Sequence, residues 1–441
     1  MKCVRTRLFG FVMGVALLMN GLYFARYQDF FTPDSITYVI PAQNLLRGKG
    51  FTDIGGRPEV MRTPGYPLLI AASMLVDSNS RSIILLQHVL NALLATAVSA
   101  FVLRLSADGA QGAIAGLLLA ADLPMLQAAN QVLGDTLFVC LLFPALWLIY
   151  QEAISSELSG KRVAVSGFLA GVSTLVKPIA LYLALPVLAF IWITRGSLKL
   201  KTGVIFAMMF VIAPVGWSTR NYFKEGHFVF SYISSVNLLF YRAAGVLAIS
   251  GPGDFYRNLD AHQQELLNLV CGELERLYRK DCAAIPMSEK APYFARLGGA
   301  IVLSHPTGSA ELATRGAAVM MFGLDAVTFG RILHLRLQAA KVLARFYTGA
   351  AALLSIVGAA YWWRRKRELF YLFFLISAYF MLLSAGAEAY DRFRVPIVPF
   401  WVAAEVAGLH VVVASFRRLG VRRGILPQVV RDSKLQEAGP R

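Results

Sequence analysis

Residues 31–67 read FTPDSITYVIPAQNLLRGKGFTDIGGRPEVMRTPGYP and directly follow the first long apolar run of the chain. Asp34 stands near the start of this stretch, where the chain leaves the apolar run, and Arg62 enters a turn of proline and glycine near its end. A carboxylate can take up a proton, and a guanidinium can hold a phosphate through paired hydrogen bonds. The stretch therefore predicts an external loop at a membrane edge that carries reactive groups.

The composition indicates a chain that crosses a membrane several times. Hydrophobic residues make up 57% of the 441 residues, and the mean hydropathy is +0.57; both values are too high for a soluble domain. The net charge of +17 falls mostly in short basic clusters between apolar runs, which is the pattern of topology signals and lipid-headgroup contacts. This distribution argues against nucleic-acid binding.

The apolar runs predict an all-α polytopic membrane protein with about ten transmembrane helices and two external insertions. The first helix stays uncleaved because no small-residue cleavage site follows it, and basic clusters place both termini in the cytoplasm. No unbroken apolar run of spanning length is expected within 222–338, so amphipathic helices on the membrane surface are expected there. The predicted parts are a first helix at 1–26, an external catalytic loop at 27–81, helices two to seven at 82–221, a large external loop at 222–338, three last helices at 339–416 and a basic cytoplasmic tail at 417–441.

Two local features of this topology carry specific expectations. Lys177-Pro178 interrupts a long apolar run, which favours a hairpin of two short helices, with Lys177 at the outer turn, over one tilted helix. Cys271 and Cys282 lie in the second external segment, where oxidation is possible. On one continuous helix they would be about 16 Å apart, so a disulfide requires the chain to turn back near Lys280, and the sequence leaves that pairing open.

Several motifs carry a family resemblance. Asp34 and Tyr38 in the pattern D-x-x-x-Y, NLLRGKGF at 44–51 and RTPGYP at 62–67 resemble the first external loop of the GT-C glycosyltransferases. The closest branch is the bacterial one that resembles protein O-mannosyltransferases and the lipid A aminoarabinose transferase. WSTRN at 217–221 and RFRVPIVP at 392–399 are similar to later segments of the same family.

The resemblance implies a GT-C-like bundle that moves a sugar, with inversion, from a polyprenyl-phosphate carrier to an acceptor hydroxyl of a lipid, glycan or protein. It implies a bacterial cytoplasmic membrane, a site facing the periplasm and membrane lipids as neighbours, and it leaves the sugar and the acceptor open. Ser35 stands where the family often has a second acid, and Thr37 stands where the aminoarabinose transferase type has an arginine. Dependence on a divalent metal ion as cofactor therefore stays open.

Two other classes compete with this hypothesis. A transporter or flippase for an anionic or lipid-linked substrate would use an outer basic cluster, but it would also be expected to carry ionisable residues at mid-bilayer and internal repeats. Here the charges gather at the helix ends and in the loops, and no internal repeat is evident. An O-antigen polymerase or ligase would be expected to carry its basic residues mainly in one late loop.

Residue chemistry, the predicted topology and the resemblance together single out ten candidate site residues. Asp34 is the candidate catalytic base and Asp135 a second acid or a metal ligand, although either aspartate could instead cap a helix. Arg62 is the candidate phosphate ligand, with a surface anchor as its alternative. The other candidates for substrate binding, each of which could instead contact headgroups, form a salt bridge or belong to an aromatic belt, are Tyr38, Tyr66, Lys177, Arg220, Asn221, Arg392 and Arg394.

Overall fold

The structure, a computed structural model, describes residues 2–77 and 80–422, with side chains for residues 5–77 and 80–418. Within these ranges the chain is almost entirely helical and has no strand; a single bridge joins Thr52 to Pro58. The predicted all-α membrane bundle is therefore confirmed.

The helices are numbered in chain order. The first ten are α1 (Lys2–Arg26), α2 (Ile36–Leu46), α3 (Gly65–Met74), α4 (Arg81–Ser106), α5 (Gly109–Ala121), α6 (Leu123–Asn130), α7 (Asp135–Ala153), α8 (Gly160–Thr174), α9 (Ala184–Thr194) and α10 (Lys199–Glu225). The remaining nine are α11 (Ile233–Asn237), α12 (Ala244–Ser250), α13 (Phe255–Tyr278), α14 (Met287–Ser304), α15 (Pro306–Phe322), α16 (Ala326–Leu333), α17 (Leu337–Arg365), α18 (Arg367–Ser384) and α19 (Val398–Arg422). A π-helical segment, Leu238–Ala243, joins α11 to α12, and a 3-10 segment, Asp391–Ile397, leads into α19.

The number of spanning helices agrees with the prediction, but their distribution differs. In the described part of the chain nine helical stretches are long and apolar enough to cross a membrane, or ten if the bent pair α5 and α6 counts as one span. Two of the nine, 233–250 and 306–333, lie in the segment where no run of spanning length was expected. That expectation was wrong, because the helix continues through polar residues such as Asn237 and Arg242. The assignment of 222–338 to the outside remains a prediction.

The chain turns back at Lys177, as the Lys-Pro pair predicts. Helix α8 ends at Thr174, a 3-10 turn follows Lys177, and α9 begins at Ala184. Lys177 contacts Asp135 at the start of α7, whereas Arg195, just after α9, contacts Glu152 near the end of α7. The two short helices therefore run in opposite directions beside α7.

Close helix contacts hold this part of the bundle together. A side chain at Gly171 of α8 would overlap the carbonyl oxygen of Phe210 in α10. Small residues at such crossings let two backbones approach, which is how helices associate in membranes without a hydrophobic driving force. Arg220 and Asn221 lie near the C-terminal end of α10, next to the first loop.

The segment between α10 and α15 forms a second apolar cluster that includes Leu239, Val246, Leu274 and Phe294. Helix α13 ends at a left-handed Arg279, and the returning chain brings Cys282 onto Cys271, where the two form a disulfide. The bridge that the sequence left open is therefore present.

This segment is joined to the first loop by backbone contacts. Ser231 Oγ donates to Met61 O at 2.6 Å, and Tyr232 N donates to Val60 O at 3.2 Å. The backbone just before Arg62 is thus fixed from the other side by a distant part of the chain.

Candidate active site

Asp34 lies in the turn that leads into α2, and its carboxylate pairs with Arg62. Ser35 occupies the N-cap position without a capping side-chain bond, and Asp34 Oδ1 accepts a hydrogen bond from Arg62 Nη2 at 2.8 Å. Asp34 therefore does not use its side chain as a helix cap. The carboxylate is half exposed, at 46%, so one side of it is open.

Arg62 uses every nitrogen of its guanidinium. Besides Asp34, Nε donates to Thr37 Oγ1 at 2.9 Å and Nη1 donates to Tyr38 Oη at 3.2 Å, with the guanidinium 4.7 Å from the centre of the Tyr38 ring. Two consecutive residues in the first turn of α2, together with Asp34 just before that helix, thus hold one arginine. Thr37 fills the position where the aminoarabinose transferase type has an arginine, and here it orients Arg62.

Glu59 fixes the backbone on which Arg62 is carried. Its Oε1 accepts from the N–H of Met61 at 2.7 Å and of Arg62 at 2.8 Å, and the residue is buried. Burial raises the pKa of Glu59, opposed by these two backbone donors. Glu59 was not among the predicted site residues. The sequence does carry a sign of its role, because an acid often accepts hydrogen bonds from the backbone N–H groups two and three residues later in a turn.

The turn after Arg62 docks tightly on the end of α8. Gly65 N donates to Leu175 O at 2.7 Å, and a Cβ at Gly65 would lie 2.7 Å from that same oxygen, so only glycine fits. Tyr66, fully buried, packs edge-on against Tyr38 at 5.3 Å and donates to Gln87 Oε1 at 2.8 Å. Burial raises the pKa of both phenols. The buried Tyr66 ring thus fixes the position of the Tyr38 ring.

Two further cations lie near Asp34, one of them in contact with it. Arg392 Nη2 lies 3.6 Å from Asp34 Oδ2, and its guanidinium stacks 5.0 Å from the centre of the Tyr390 ring. Lys177 Nζ lies 2.5 Å from Asp135 Oδ1, and both groups are close enough to Arg392 to interact electrostatically with it. The structure therefore brings Asp34, Arg62, Arg392 and Lys177 together.

Asp135 is the buried counter-ion of Lys177. Its side chain is only 2% exposed and lies in the first turn of α7, where the helix dipole favours a negative charge. This burial fits a partner that holds Lys177 in place better than an acid that meets substrate. Its assignment as a catalytic acid remains a prediction.

Arg220, Asn221 and Arg394 lie away from this cluster. Arg220 donates to Phe51 O and Glu59 O, each at 2.9 Å, and Asn221 donates to Val229 O at 2.8 Å. Arg394 donates to Gly323 O at 2.7 Å, beyond the end of α15. These donors bond to backbone carbonyl oxygens, so the three residues anchor loops in this structure, and their assignment to substrate binding remains a prediction.

The described side chains do not fit a metal site. Within residues 5–77 and 80–418, whose side chains the structure describes, no three histidine, cysteine, aspartate or glutamate side chains come together as possible ligands. Asp34 and Asp135 each face a basic group instead.

Comparisons with known proteins place this geometry in context. Residues 61–217 match the family model of dolichyl-phosphate-mannose-protein mannosyltransferases. No curated protein shows significant sequence similarity to the chain.

The fold itself is similar to solved structures. An oligosaccharyltransferase from Archaeoglobus fulgidus, AglB, in complex with an inhibitory peptide and a dolichol-phosphate, matches with a TM-score of 0.55 and 12% identity over 95% of this chain and 51% of its own. A second structure of the Archaeoglobus fulgidus enzyme, tethered to an acceptor peptide, gives a TM-score of 0.51 and 14% identity over 96% and 51% of the two chains. ArnT from Cupriavidus metallidurans in the apo state gives 0.40 and 15% over 92% and 78%. The chain spans about half the length of the archaeal enzyme.

Proposed function

Because this chain has the GT-C fold of membrane glycosyltransferases, as its sequence motifs predict, we propose that it transfers a sugar from a polyprenyl-phosphate carrier to an acceptor hydroxyl. The observation that carries the proposal is the half-exposed Asp34 carboxylate between Arg62 and Arg392. A base and two phosphate-binding cations in contact are what such a transfer needs in one place.

Asp34 is the proposed general base, and Oδ2 is the atom that takes the proton. Oδ1 is occupied by a short bond from Arg62, whereas the nearest cation to Oδ2 is at 3.6 Å. The acceptor oxygen attacks the anomeric carbon as its proton moves to Oδ2. The bond from that carbon to the phosphate oxygen breaks, its electron pair stays on the phosphate, and attack from the opposite face inverts the sugar.

Arg62, Arg392 and Lys177 are the proposed ligands of the leaving phosphate. Charge develops on the phosphate as the bond breaks, and cations held in advance stabilise it without reorganisation. Arg392 is held by the Tyr390 ring and Lys177 by Asp135. Since Arg62 offers a planar fork, it can exchange its contacts with Tyr38 and Thr37 for phosphate oxygens.

A lipid-linked donor and an outward-facing site complete the proposal. The Archaeoglobus complex contains dolichol-phosphate, and the matching family is described by a dolichyl-phosphate sugar; both support a polyprenyl-phosphate donor. The disulfide between Cys271 and Cys282 supports an oxidising compartment on the face of the membrane where the segment after α10 lies. The basic cluster at Arg364–Arg367 supports the opposite face as the cytoplasmic one. Together with the resemblance of the first loop to the bacterial aminoarabinose transferase type, these observations support a bacterial cytoplasmic membrane.

Replacing Asp34 with asparagine tests the mechanism. The full chain is reconstituted in proteoliposomes with undecaprenyl-phosphate-linked hexoses and pentoses and a membrane-lipid extract as acceptor, and the release of undecaprenyl phosphate is measured by mass spectrometry. We expect Asp34→Asn to lower turnover about 100-fold or more, because the proton acceptor is lost while the side-chain shape is kept.

Asp29→Asn is the matched control, since Asp29 is an exposed aspartate earlier in the same loop. It should leave turnover within about two-fold, as expected for a surface change. Full turnover by the Asp34 variant would remove Asp34 from the mechanism, and no turnover by the unaltered protein with any donor would overturn the polyprenyl-phosphate proposal.

A further inference from the structure

A second basic cavity lies at the end of α1, apart from the site around Asp34. It has a volume of about 690 Å³, opens to the surface, and is lined by residues that include Arg26 and Tyr27 from the end of α1, Val327 and Arg331 from α16, His334, and Leu337 at the start of α17. No aspartate or glutamate lines it, and it shares no lining residue with the cluster around Asp34.

The basic groups of this cavity are uncommitted. Within the described residues, neither an ion pair nor a side-chain hydrogen bond engages Arg26, Arg331 or His334. Arg62, Arg220, Arg242 and Arg394, by contrast, all donate to carboxylates or backbone carbonyls. The cavity therefore holds positive charge that the protein itself does not neutralise.

The start of α17 adds to this charge. This helix of 29 residues begins at Leu337 without a side-chain cap. The free backbone N–H groups and the helix dipole at such an end favour an anion. Two guanidinium groups and a helix end thus face one space.

The walls of the cavity are apolar and lie at the ends of candidate spans. Val327 and Leu337 are both exposed, at 49% and 46%, and α1 and α17 both qualify as membrane-crossing helices. Leu22, one turn before Arg26 on α1, is 61% exposed, as expected of a residue that meets acyl chains. A free anion would gain nothing from these surfaces, whereas a lipid has both a charged headgroup and apolar chains.

We propose that this cavity binds the phosphate headgroup of an anionic phospholipid, with Arg26 and Arg331 on the phosphate and the acyl chains along α1. Electrostatic attraction brings the phosphate to the two arginines, and burial of acyl-chain carbons against the exposed apolar residues keeps the lipid bound. This site goes beyond sugar transfer and does not depend on it.

Native mass spectrometry of the full chain, released from nanodiscs that contain phosphatidylglycerol or phosphatidylcholine, tests the proposal. We expect at least one phosphatidylglycerol to stay bound where phosphatidylcholine does not. Arg26→Gln and Arg331→Gln should each weaken retention roughly five-fold, which is the usual contribution of one basic residue near an anionic lipid. Arg336→Gln is the matched control, because Arg336 is a neighbouring arginine that does not line the cavity.

Each other outcome contradicts the proposal. Equal retention by the cavity variants and the Arg336 variant would show that the lipid binds elsewhere. Displacement of the lipid by millimolar inorganic phosphate would indicate a site for a free anion. Equal retention of phosphatidylcholine would indicate a purely apolar surface. An unchanged thermal midpoint of each variant establishes that the loss of lipid is not a loss of fold.

Discussion

At the scale of single residues, Arg62 makes a set of contacts that only a guanidinium group can make. Its three guanidinium nitrogens reach Thr37, Tyr38 and Asp34, and an ammonium group can occupy only one of these directions. Arg62→Lys should therefore keep the charge and lower kcat/KM for the lipid-linked donor more than about 100-fold, since two charged hydrogen bonds are lost and each is worth about 1.5–3 kcal/mol.

Initial rates at several donor concentrations measure this loss. Arg57→Lys, an exposed arginine of the same loop with one long bond to Ala284 O, should change kcat/KM less than about two-fold. Equal effects of the two substitutions would mean that Arg62 acts only as a positive charge.

Glu59 predicts a pH dependence of stability. Burial raises its pKa above the ordinary value of 4.5, so the folded state binds this proton more tightly than the unfolded chain does. The contribution of Glu59 to the free energy of unfolding is therefore most favourable below about pH 4.5. It is lost as the pH rises through the raised pKa of the folded state. Glu59→Gln keeps an acceptor for the two backbone donors and should flatten the fall in thermal midpoint as the pH rises above about 4.5.

Thermal unfolding of the purified chain in detergent at several pH values checks this. Glu157→Gln, at an exposed position, should leave the pH profile as it is. A Glu59 variant whose midpoint still falls as steeply as that of the unaltered chain would place the titrating group elsewhere.

The sequence identified Asp34 and Arg62 as reactive groups, but it could not show that they contact each other. Their pairing depends on how the loop folds back, which Glu59 and the backbone contacts from Ser231 and Tyr232 determine. The contacts of Arg220 and Arg394 were equally hidden, because a motif gives the type of a residue but not the carbonyl oxygens that its side chain can reach. Backbone carbonyls carry no signature in the sequence, so anchors and ligands look alike there.

At the scale of helices, α8 and α10 both hold the first loop in place, since Gly65 docks on the end of α8 and Arg220 of α10 donates to Glu59 O. Gly171→Ala would press a methyl group onto the carbonyl oxygen of Phe210 and force the helices apart. We expect the variant to lose about 1–3 kcal/mol of unfolding free energy, as overpacked cores do.

The thermal midpoint in detergent measures this loss, and the midpoint of activity should fall with it. Gly216→Ala is the matched control on α10, because a methyl group there would meet no atom within 4 Å. It should be neutral or slightly stabilising, since alanine favours a helix over glycine. A Gly171 variant as stable as the Gly216 variant would mean that this crossing is not tightly packed.

Helix breaks were predictable where a residue type forces them, and not where the break depends on packing. Lys177-Pro178 predicts the hairpin because proline cannot continue a helix and a lysine is costly in mid-membrane. The helical continuity of 233–250 through Arg242 was missed, because the sequence does not show that Ala385 O and Glu388 would receive its guanidinium. A charge with a partner interrupts an apolar pattern without interrupting the helix.

At the scale of the whole molecule, α7 has a separate ion cluster at each end. Asp135 with Lys177 lies at its start beside the candidate site, and Glu152 with Arg162 and Arg195 lies near its other end. Its 19 residues extend about 28 Å, close to the thickness of the hydrocarbon layer. The two clusters should therefore lie on opposite sides of the membrane, with the site on the outer side.

Cysteine accessibility in intact cells tests this orientation. In a chain with Cys3 and Cys140 replaced by serine and the disulfide kept, Ile54→Cys adds a thiol to the first loop, where Ile54 is 84% exposed. Ser156→Cys adds one at an exposed position beside Glu152. A membrane-impermeant maleimide should label position 54 in intact spheroplasts and position 156 only after lysis, because positive clusters keep their end of a helix inside. The reverse pattern would put Asp34 at the cytoplasmic face, where a base for transfer to a periplasmic acceptor could not act, and the proposed direction of transfer would then be wrong even if the donor were right.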